Sequence, residues 1–164
     1  RKGLFAGVTE NSFQPDTSVT RAMFVTILGR LYGINPKDYN TQVFDDVELG
    51  QWYSPYVQWA FENEIIKGYD EKAFGPNDRI TREQMCSIIV RYCEFAGLEL
   101  EELIGEAAFD DDDLTSSWAK EYIRKSQMAE LIKGVGNNMF NPRGNATRAE
   151  ATAILMRLIQ NVIK

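Results

Sequence analysis

Three copies of one motif recur along this chain of 164 residues with the same internal spacing. Each copy contains a glycine, a Phe-x-Pro segment whose phenylalanine lies six residues later, and a Thr-Arg pair whose threonine lies seven residues after the phenylalanine. The glycines are Gly7, Gly68 and Gly134, and the Thr-Arg pairs begin at Thr20, Thr81 and Thr147. A further arginine follows ten residues after each threonine, at Arg30, Arg91 and Arg157. This pattern predicts a repeat protein, in which neighbouring units pack together to bury their apolar faces.

The second and third copies also share an upstream half. Phe44-Asp45-Asp46 precedes Trp52, and Phe109-Asp110-Asp111 precedes Trp118. The first copy lacks this half, because Arg1 falls at the position equivalent to Glu62. We therefore predict three repeats, over residues 1–34, 43–97 and 108–164, of which the first lacks its first helix.

Each complete repeat has the pattern of a helix, a turn-rich loop and a second helix. Apolar residues recur at helical spacing over about residues 53–64 and 118–130, and again after each Thr-Arg pair. We expect the first helix to end near the glycine, which is the usual residue just past a helix C-terminus. The sequence therefore predicts an all-α fold.

The threonine of each Thr-Arg pair is expected to cap the second helix. Thr147 with Glu150 matches a capping box, in which each side chain bonds the other residue's backbone amide. Thr81 with Gln84 matches the same pattern with glutamine, whereas Thr20 retains the N-cap half alone. The threonine and the residue three positions later therefore have a structural role.

These motifs resemble the S-layer homology (SLH) family. The Phe-x-Asp start, the tryptophan-containing helix, the Gly…Phe-x-Pro spacing and the sequence Thr147-Arg148-Ala149-Glu150 carry the resemblance. It implies tandem helix-loop-helix repeats in a pseudo-threefold arrangement around a central helical bundle, with ligand grooves between repeats. It also implies a non-catalytic module that attaches secreted proteins to secondary cell-wall polysaccharide, often pyruvylated, at the bacterial cell surface or S-layer.

Arginine follows each capping threonine, at Arg21, Arg82 and Arg148. At this position a guanidinium faces the positive end of the helix dipole at a cost of about 0.3–1 kcal/mol, and capping does not require it. We interpret each arginine as part of a site where the guanidinium and free helix N-terminal amides bind one anion, such as a pyruvyl carboxylate. The alternative is a salt bridge to the acidic Phe-x-Asp segment of a neighbouring repeat.

The other candidate ligand-binding residues come in pairs from the two complete repeats: Trp52 and Trp118, Lys67 and Lys133, Asp46 and Asp111. The tryptophans provide flat faces for sugar rings or pack in the core. The lysines line a groove or stabilise the C-terminal end of the first helix. The aspartates cap the following helix or hold the arginine.

Composition excludes several other functions. The formal net charge of −6 argues against general binding of nucleic acid, and no apolar run is long enough for membrane insertion. The chain has no histidine, which removes histidine-dependent catalysis and common zinc sites. The run from Asp110 to Asp113 lacks the alternating ligands and glycine of a calcium loop. We predict no cofactor, no metal and two buried free cysteines, Cys86 and Cys93.

The leading functional hypothesis is a cell-wall anchor that binds polysaccharide. A second hypothesis is binding of polyamine-modified peptidoglycan through carboxylates such as Asp46 and Asp111, and a third is purely structural assembly of an S-layer. A glycoside hydrolase is disfavoured, because no acidic pair lies in a motif beyond capping or linker patterns.

The chain is expected to form part of a larger secreted protein, or an oligomer that completes the first repeat. The second helix of the first repeat carries the apolar residues Phe24, Ile27, Leu28 and Leu31. We expect an upstream segment or a second protomer to cover that face.

Overall fold

The computed structural model describes residues 14–161, so that Gly7 and Phe13 of the first repeat lie outside the described residues. The helices are α1 (Arg21–Tyr32), α2 (Ser54–Glu62), α3 (Arg82–Phe95), α4 (Lys120–Met128) and α5 (Arg148–Asn161), with short 3-10 turns at Pro36–Asp38 and Asp112–Leu114. In this range extended pairing is limited to isolated bridges, without a sheet. The predicted all-α fold is confirmed.

The predicted caps are present at the starts of α1, α3 and α5. The hydroxyl of Thr20 accepts a hydrogen bond from the amide of Met23 at 3.1 Å. Thr81 and Gln84 form the full capping box. Thr147 and Glu150 form the same box, in which the amide of Thr147 donates to the Glu150 carboxylate at 2.9 Å. Three of the five helices in residues 14–161 thus begin at positions that the local sequence determines.

The three segments that precede these helices form a closed ring of backbone hydrogen bonds. The amide of Val19 donates to the carbonyl of Ala146 at 3.0 Å, that of Ala146 donates to Ile80 at 2.9 Å, and that of Ile80 donates to Val19 at 2.9 Å. All three side chains are fully buried. Because equivalent atoms meet in each step, the repeats are related by a pseudo-threefold axis through the ring, as the resemblance implied.

The first amides of each capped helix are also occupied. The amides of Arg21 and Ala22 donate to the carbonyls of Asp78 and Pro76, at 2.9 and 3.0 Å. The equivalent amides donate to Gly144 and Pro142 at the start of α3 and to Thr17 and Pro15 at the start of α5. The prediction of free helix N-terminal amides is therefore wrong, because the Phe-x-Pro loop of the neighbouring repeat supplies carbonyls to them.

Helices pair between successive repeats. α1 packs against α2, and α3 packs against α4. Phe24, Ile27 and Leu28 of α1 are consequently buried within this chain. The prediction that an upstream segment or a second protomer covers this face is wrong, because the first helix of the second repeat covers it.

The uncovered apolar face belongs to α5, which has no closely packed helical partner among residues 14–161. Met156 and Ile159 are 53% and 38% exposed. The equivalent residues of α3, Val90 and Cys93, are 1% and 0% exposed. The difference arises because α4 packs on α3, whereas no described helix takes the equivalent place on α5.

The glycine that recurs in each repeat has a steric reason. α2 and α4 end at Glu62 and Met128, well before Gly68 and Gly134, so the prediction that glycine ends these helices is wrong. The residues of left-handed conformation after them are Glu64 and Glu130, with φ of 58° and 54°. A Cβ atom on Gly68 would lie 2.4 Å from the carbonyl oxygen of Asp70, and one on Gly134 would lie 2.6 Å from that of Met139. Both glycines are needed because the backbone folds closely back on itself.

The two cysteines of α3 are free and buried, as predicted. Burial raises the pKa of Cys86 to about 12 and that of Cys93 to about 12. Both thiols therefore stay protonated at neutral pH and act as small core residues.

Candidate ligand grooves between the repeats

Two clefts between repeats bring predicted site residues together. Groove A has a volume of about 330 Å³ and is lined by Arg21, Lys67, Tyr69, Gln84, Arg91 and Trp118, among others. Groove B has a volume of about 130 Å³ and is lined by Arg82, Lys133, Phe140, Glu150 and Arg157, among others. The two grooves occupy equivalent places, since the first arginine comes from one repeat and the lysine and second arginine come from the next.

Arg21 is held rigidly at the base of groove A. Its Nε donates to the carbonyl of Phe74 at 2.9 Å, and its Nη2 donates to the carbonyl of Lys67 at 3.2 Å. Its guanidinium carbon lies 4.6 Å from the ring centroids of both Tyr69 and Phe74. These contacts fix the guanidinium in one orientation, so that binding a ligand requires little further ordering.

Arg21 forms no salt bridge within residues 14–161, where every ion pair joins other residues. Arg21 is 4% exposed. Burial lowers the pKa of its guanidinium, and the nearby Tyr69, Asp78 and Asp46 oppose that shift. The predicted alternative, a salt bridge to the Phe-x-Asp segment, is therefore not made by this arginine.

Arg82 makes the same backbone contacts in groove B but also has an acidic partner. Its Nε donates to the carbonyl of Phe140 at 2.7 Å, and its Nη2 donates to the carbonyl of Lys133 at 2.8 Å. Its Nη1 forms a salt bridge with the carboxylate of Glu150. This carboxylate belongs to the helix-capping motif of the next repeat and not to the Phe-x-Asp segment.

Arg148 is buried at the start of α5, in the position that Arg21 and Arg82 occupy in α1 and α3. The first-repeat residues that correspond to Lys67 and Phe74 are Ala6 and Phe13. Both lie outside the described residues, so the geometry of grooves A and B carries the functional argument.

Lys67 and Lys133 extend into the grooves with exposed side chains, while their carbonyls hold the arginines. The alternative that they stabilise a helix C-terminus is wrong, because α2 and α4 end several residues earlier. Each lysine thus lines the same groove as a buried arginine.

The two tryptophans lie at the surface, which excludes the alternative of core packing. Trp118 is 49% exposed and forms a wall of groove A. Trp52 is 52% exposed and packs edge-to-face against Tyr53, with 5.1 Å between ring centroids. Trp52 lines neither groove A nor groove B.

Asp46 and Asp111 brace the Phe-x-Pro loops. The carboxylate of Asp46 accepts hydrogen bonds from the amides of Phe74 and Gly75, at 2.9 and 2.7 Å. The carboxylate of Asp111 accepts from the amides of Phe140 and Asn141, at 2.8 and 2.7 Å. Neither aspartate lines groove A or B, and each uses both oxygens to shape the loop that holds the arginine.

Two groove residues, Arg91 and Gln84, were not among the ligand-binding candidates predicted from the sequence. Arg91 lines groove A, where its Nε donates to the hydroxyl of Tyr122 at 3.1 Å. Gln84 lines the same groove. It lies on the same face of α3 as Ser87, one helical turn later, and Arg91, two turns later. The sequence did contain a signal for Arg91, because an arginine recurs ten residues after each capping threonine. That spacing places it on the groove side of the capped helix.

The grooves differ in charge. Among the described residues that line groove A, Arg21, Lys67 and Arg91 are cationic and none is acidic. Groove B has the equivalent three cations, but Glu150 neutralises part of their charge. A local positive site thus exists on a chain whose net charge is −6.

Comparison with known families agrees with this geometry. The S-layer homology domain family matches residues 1–23, 43–86 and 108–152, which together make up more than half of the chain. The chain belongs to the S-layer homology family. As an SLH chain, it uses the repeated Thr-Arg motif to join each repeat to its neighbour.

Relatives of this SLH chain include enzymes and surface-layer proteins. It is 40% identical over 96% of its length to an amylopullulanase of Thermoanaerobacterium thermosulfurigenes, of which it covers 8%. It is equally 40% identical over 96% of its length to the exoglucanase XynX of Acetivibrio thermocellus, of which it covers 14%. It is 29% identical over 98% of its length to the surface-layer 125 kDa protein of Lysinibacillus sphaericus, of which it covers 13%.

The SLH chain thus spans a small part of each of these relatives. The family match and the surface-layer relatives support cell-wall anchoring and a location at the cell surface. Among residues 14–161, no helix combines the length and apolar character needed to cross a membrane.

Proposed function

We propose that this SLH chain anchors a larger secreted protein by binding an anionic substituent of cell-wall polysaccharide in groove A. The observation that carries the proposal is the cluster of Arg21, Lys67 and Arg91 in a groove that no described acidic residue lines. A pyruvyl ketal on a sugar supplies the matching ligand, because its carboxylate is anionic at neutral pH and small enough to enter the cleft.

Recognition follows from the rigid placement of Arg21. A carboxylate that enters groove A meets a guanidinium already ordered by two backbone carbonyls and two aromatic rings. Charge-assisted hydrogen bonds are stronger than neutral ones, and a preorganised partner loses little entropy on binding. Trp118 provides an apolar face for the sugar ring beside this charge.

The geometry favours this ligand over a polyamine-modified peptidoglycan. Polyamine recognition would require free carboxylates in a groove, whereas Asp46 and Asp111 accept backbone hydrogen bonds away from grooves A and B. Purely structural assembly predicts that the chain does not bind isolated wall polymer, which the following experiment tests.

Isothermal titration with a methyl hexoside that carries a pyruvate ketal tests the proposal. We expect binding of the ketal-bearing sugar and none of the same sugar without the ketal. Lys67→Ala should weaken binding about fivefold through loss of one exposed charge contact, because the backbone carbonyl that holds Arg21 remains.

Lys37→Ala is the matched control, since Lys37 is an exposed lysine in the 3-10 turn outside both grooves. It should leave the affinity unchanged. Equal binding of the sugars with and without the ketal, or equal effects of the two lysine changes, would contradict the proposal.

A further inference from the structure

We propose that the third residue after the capping threonine decides whether a groove accepts an anion, so that Gln84 leaves groove A open and Glu150 closes groove B. This inference rests on the proposed function, because it concerns which grooves bind the anionic sugar substituent. It assigns Gln84 and Glu150 a role in specificity in addition to their role in helix capping.

The two residues perform the same capping function with one side-chain atom. The amide of Thr81 donates to Oε1 of Gln84 at 3.1 Å, and the amide of Thr147 donates to Oε2 of Glu150 at 2.9 Å. Each side chain therefore has a second terminal group that the cap does not use. That group is a neutral amide nitrogen in Gln84 and a charged carboxylate oxygen in Glu150.

In groove B the second oxygen of Glu150 binds the arginine that an anionic ligand would need. It pairs with Nη1 of Arg82, while Nε and Nη2 of the same guanidinium donate to backbone carbonyls. The side chains of Arg82 and Glu150 are 6% and 30% exposed. An entering carboxylate would have to displace Glu150 and would then lie beside a like charge in a partly buried site.

In groove A the residue equivalent to Glu150 is neutral. Arg21 makes the two equivalent carbonyl bonds through Nε and Nη2, and Gln84 lines the cleft in the place of Glu150. Within the described part of the chain no carboxylate forms an ion pair with Arg21. Arg21 is a buried cation without a salt bridge among the described residues. It therefore gains more binding free energy from an external carboxylate than Arg82 does.

The shapes of the two clefts agree with this difference. Groove A has a volume of about 330 Å³ and includes the wall formed by Trp118, whereas groove B has a volume of about 130 Å³. In groove B the described lining contains no equivalent tryptophan. The charge of the lining and the volume of the cleft therefore both favour binding of the anionic sugar in groove A.

A reciprocal exchange tests the inference through the Nε–H NMR signals of the two arginines during titration with the pyruvylated methyl hexoside. In the parent chain we expect the signal of Arg21 to shift and that of Arg82 to stay. Gln84→Glu should remove the Arg21 response and weaken binding in groove A at least about tenfold, since it adds an internal competitor for the guanidinium. Glu150→Gln should make the Arg82 signal respond to the sugar.

Each variant serves as the folding control for the other, because this chain already caps one helix with glutamine and another with glutamate. Thermal unfolding of Gln84→Glu should remain close to that of the parent chain, whereas Glu150→Gln should unfold at a somewhat lower temperature, still in one transition, because Arg82 loses its salt bridge. A parent chain with no Arg21 response would refute the proposed function. An Arg21 response that persists in Gln84→Glu, or an Arg82 signal that stays silent in Glu150→Gln, would overturn this inference and leave the proposed function intact.

Discussion

Each residue of the Thr-Arg motif makes different contacts and so has a different role. The arginine binds backbone carbonyls of the next repeat, and the threonine caps its own helix. The residue after the arginine differs between repeats, as Ala22, Glu83 and Ala149. Glu83 is 5% exposed, and its carboxylate accepts hydrogen bonds from the amide and hydroxyl of Ser116, at 3.0 and 2.8 Å. This departure from the family motif therefore holds the segment that leads to Trp118.

Replacement of Glu83 should disturb groove A from a distance. We expect Glu83→Ala to lower the free energy of unfolding by about 1–3 kcal/mol, because the amide of Ser116 loses its acceptor. It should also weaken binding of the pyruvylated sugar, since Trp118 is less firmly placed. Chemical denaturation and titration calorimetry measure the two effects.

Glu71→Ala is the control for this change, since Glu71 is an exposed glutamate. It should alter the free energy of unfolding by less than about 0.5 kcal/mol. Equal stability of the two variants would show that the bonds to Ser116 contribute nothing measurable.

Helices of this chain find their partners across the repeat boundary. Helical spacing revealed which residues of α1 form an apolar face: Phe24, Ile27 and Leu28 are buried, and Leu31 is partly buried. The spacing could not reveal that α2 would cover them, because periodicity describes one helix and not the surface it meets. The same limit explains the error about glycine, since the close approach of Gly68 to Asp70 depends on how the loop folds back.

An introduced aspartate should lower the free energy of unfolding more at Val90 of α3 than at the equivalent Met156 of α5. Val90→Asp should destabilise the chain by several kcal/mol, because Val90 is 1% exposed on the helix that packs against α4. Met156→Asp should change the free energy of unfolding by less than about 0.5 kcal/mol, because Met156 is 53% exposed. Urea denaturation of this 164-residue chain compares them, and similar losses would contradict the finding that α4 covers this face of α3 while the equivalent face of α5 is exposed.

At the scale of the whole molecule, the hydrogen-bonded ring joins the three repeats into one closed unit. A linear repeat array is stabilised by contacts between nearest neighbours, so that its ends can unfold separately. Here the first and third repeats are also joined directly, through Val19 and Ala146. The capping motifs were predictable because they are local, whereas this closure joins residues far apart in the sequence.

Closure predicts a single cooperative unfolding transition. Ile80→Ala should destabilise the chain by about 2–5 kcal/mol, because Ile80 is fully buried at the ring. Helical circular dichroism and tryptophan fluorescence should still report coincident transitions. Leu49→Ala, at a residue that is 53% exposed, should have little effect. Two resolved transitions in the parent chain would show that the repeats unfold independently.

The ring consists of main-chain atoms, and this has a consequence for how such chains diversify. Bonds between amides and carbonyls do not depend on which side chains line the neighbouring clefts. Mutations can therefore alter the ligand preference of one cleft while the assembly of the repeats stays the same. A single polypeptide of this type can evolve, or be engineered, to hold several chemically distinct receptors around one axis.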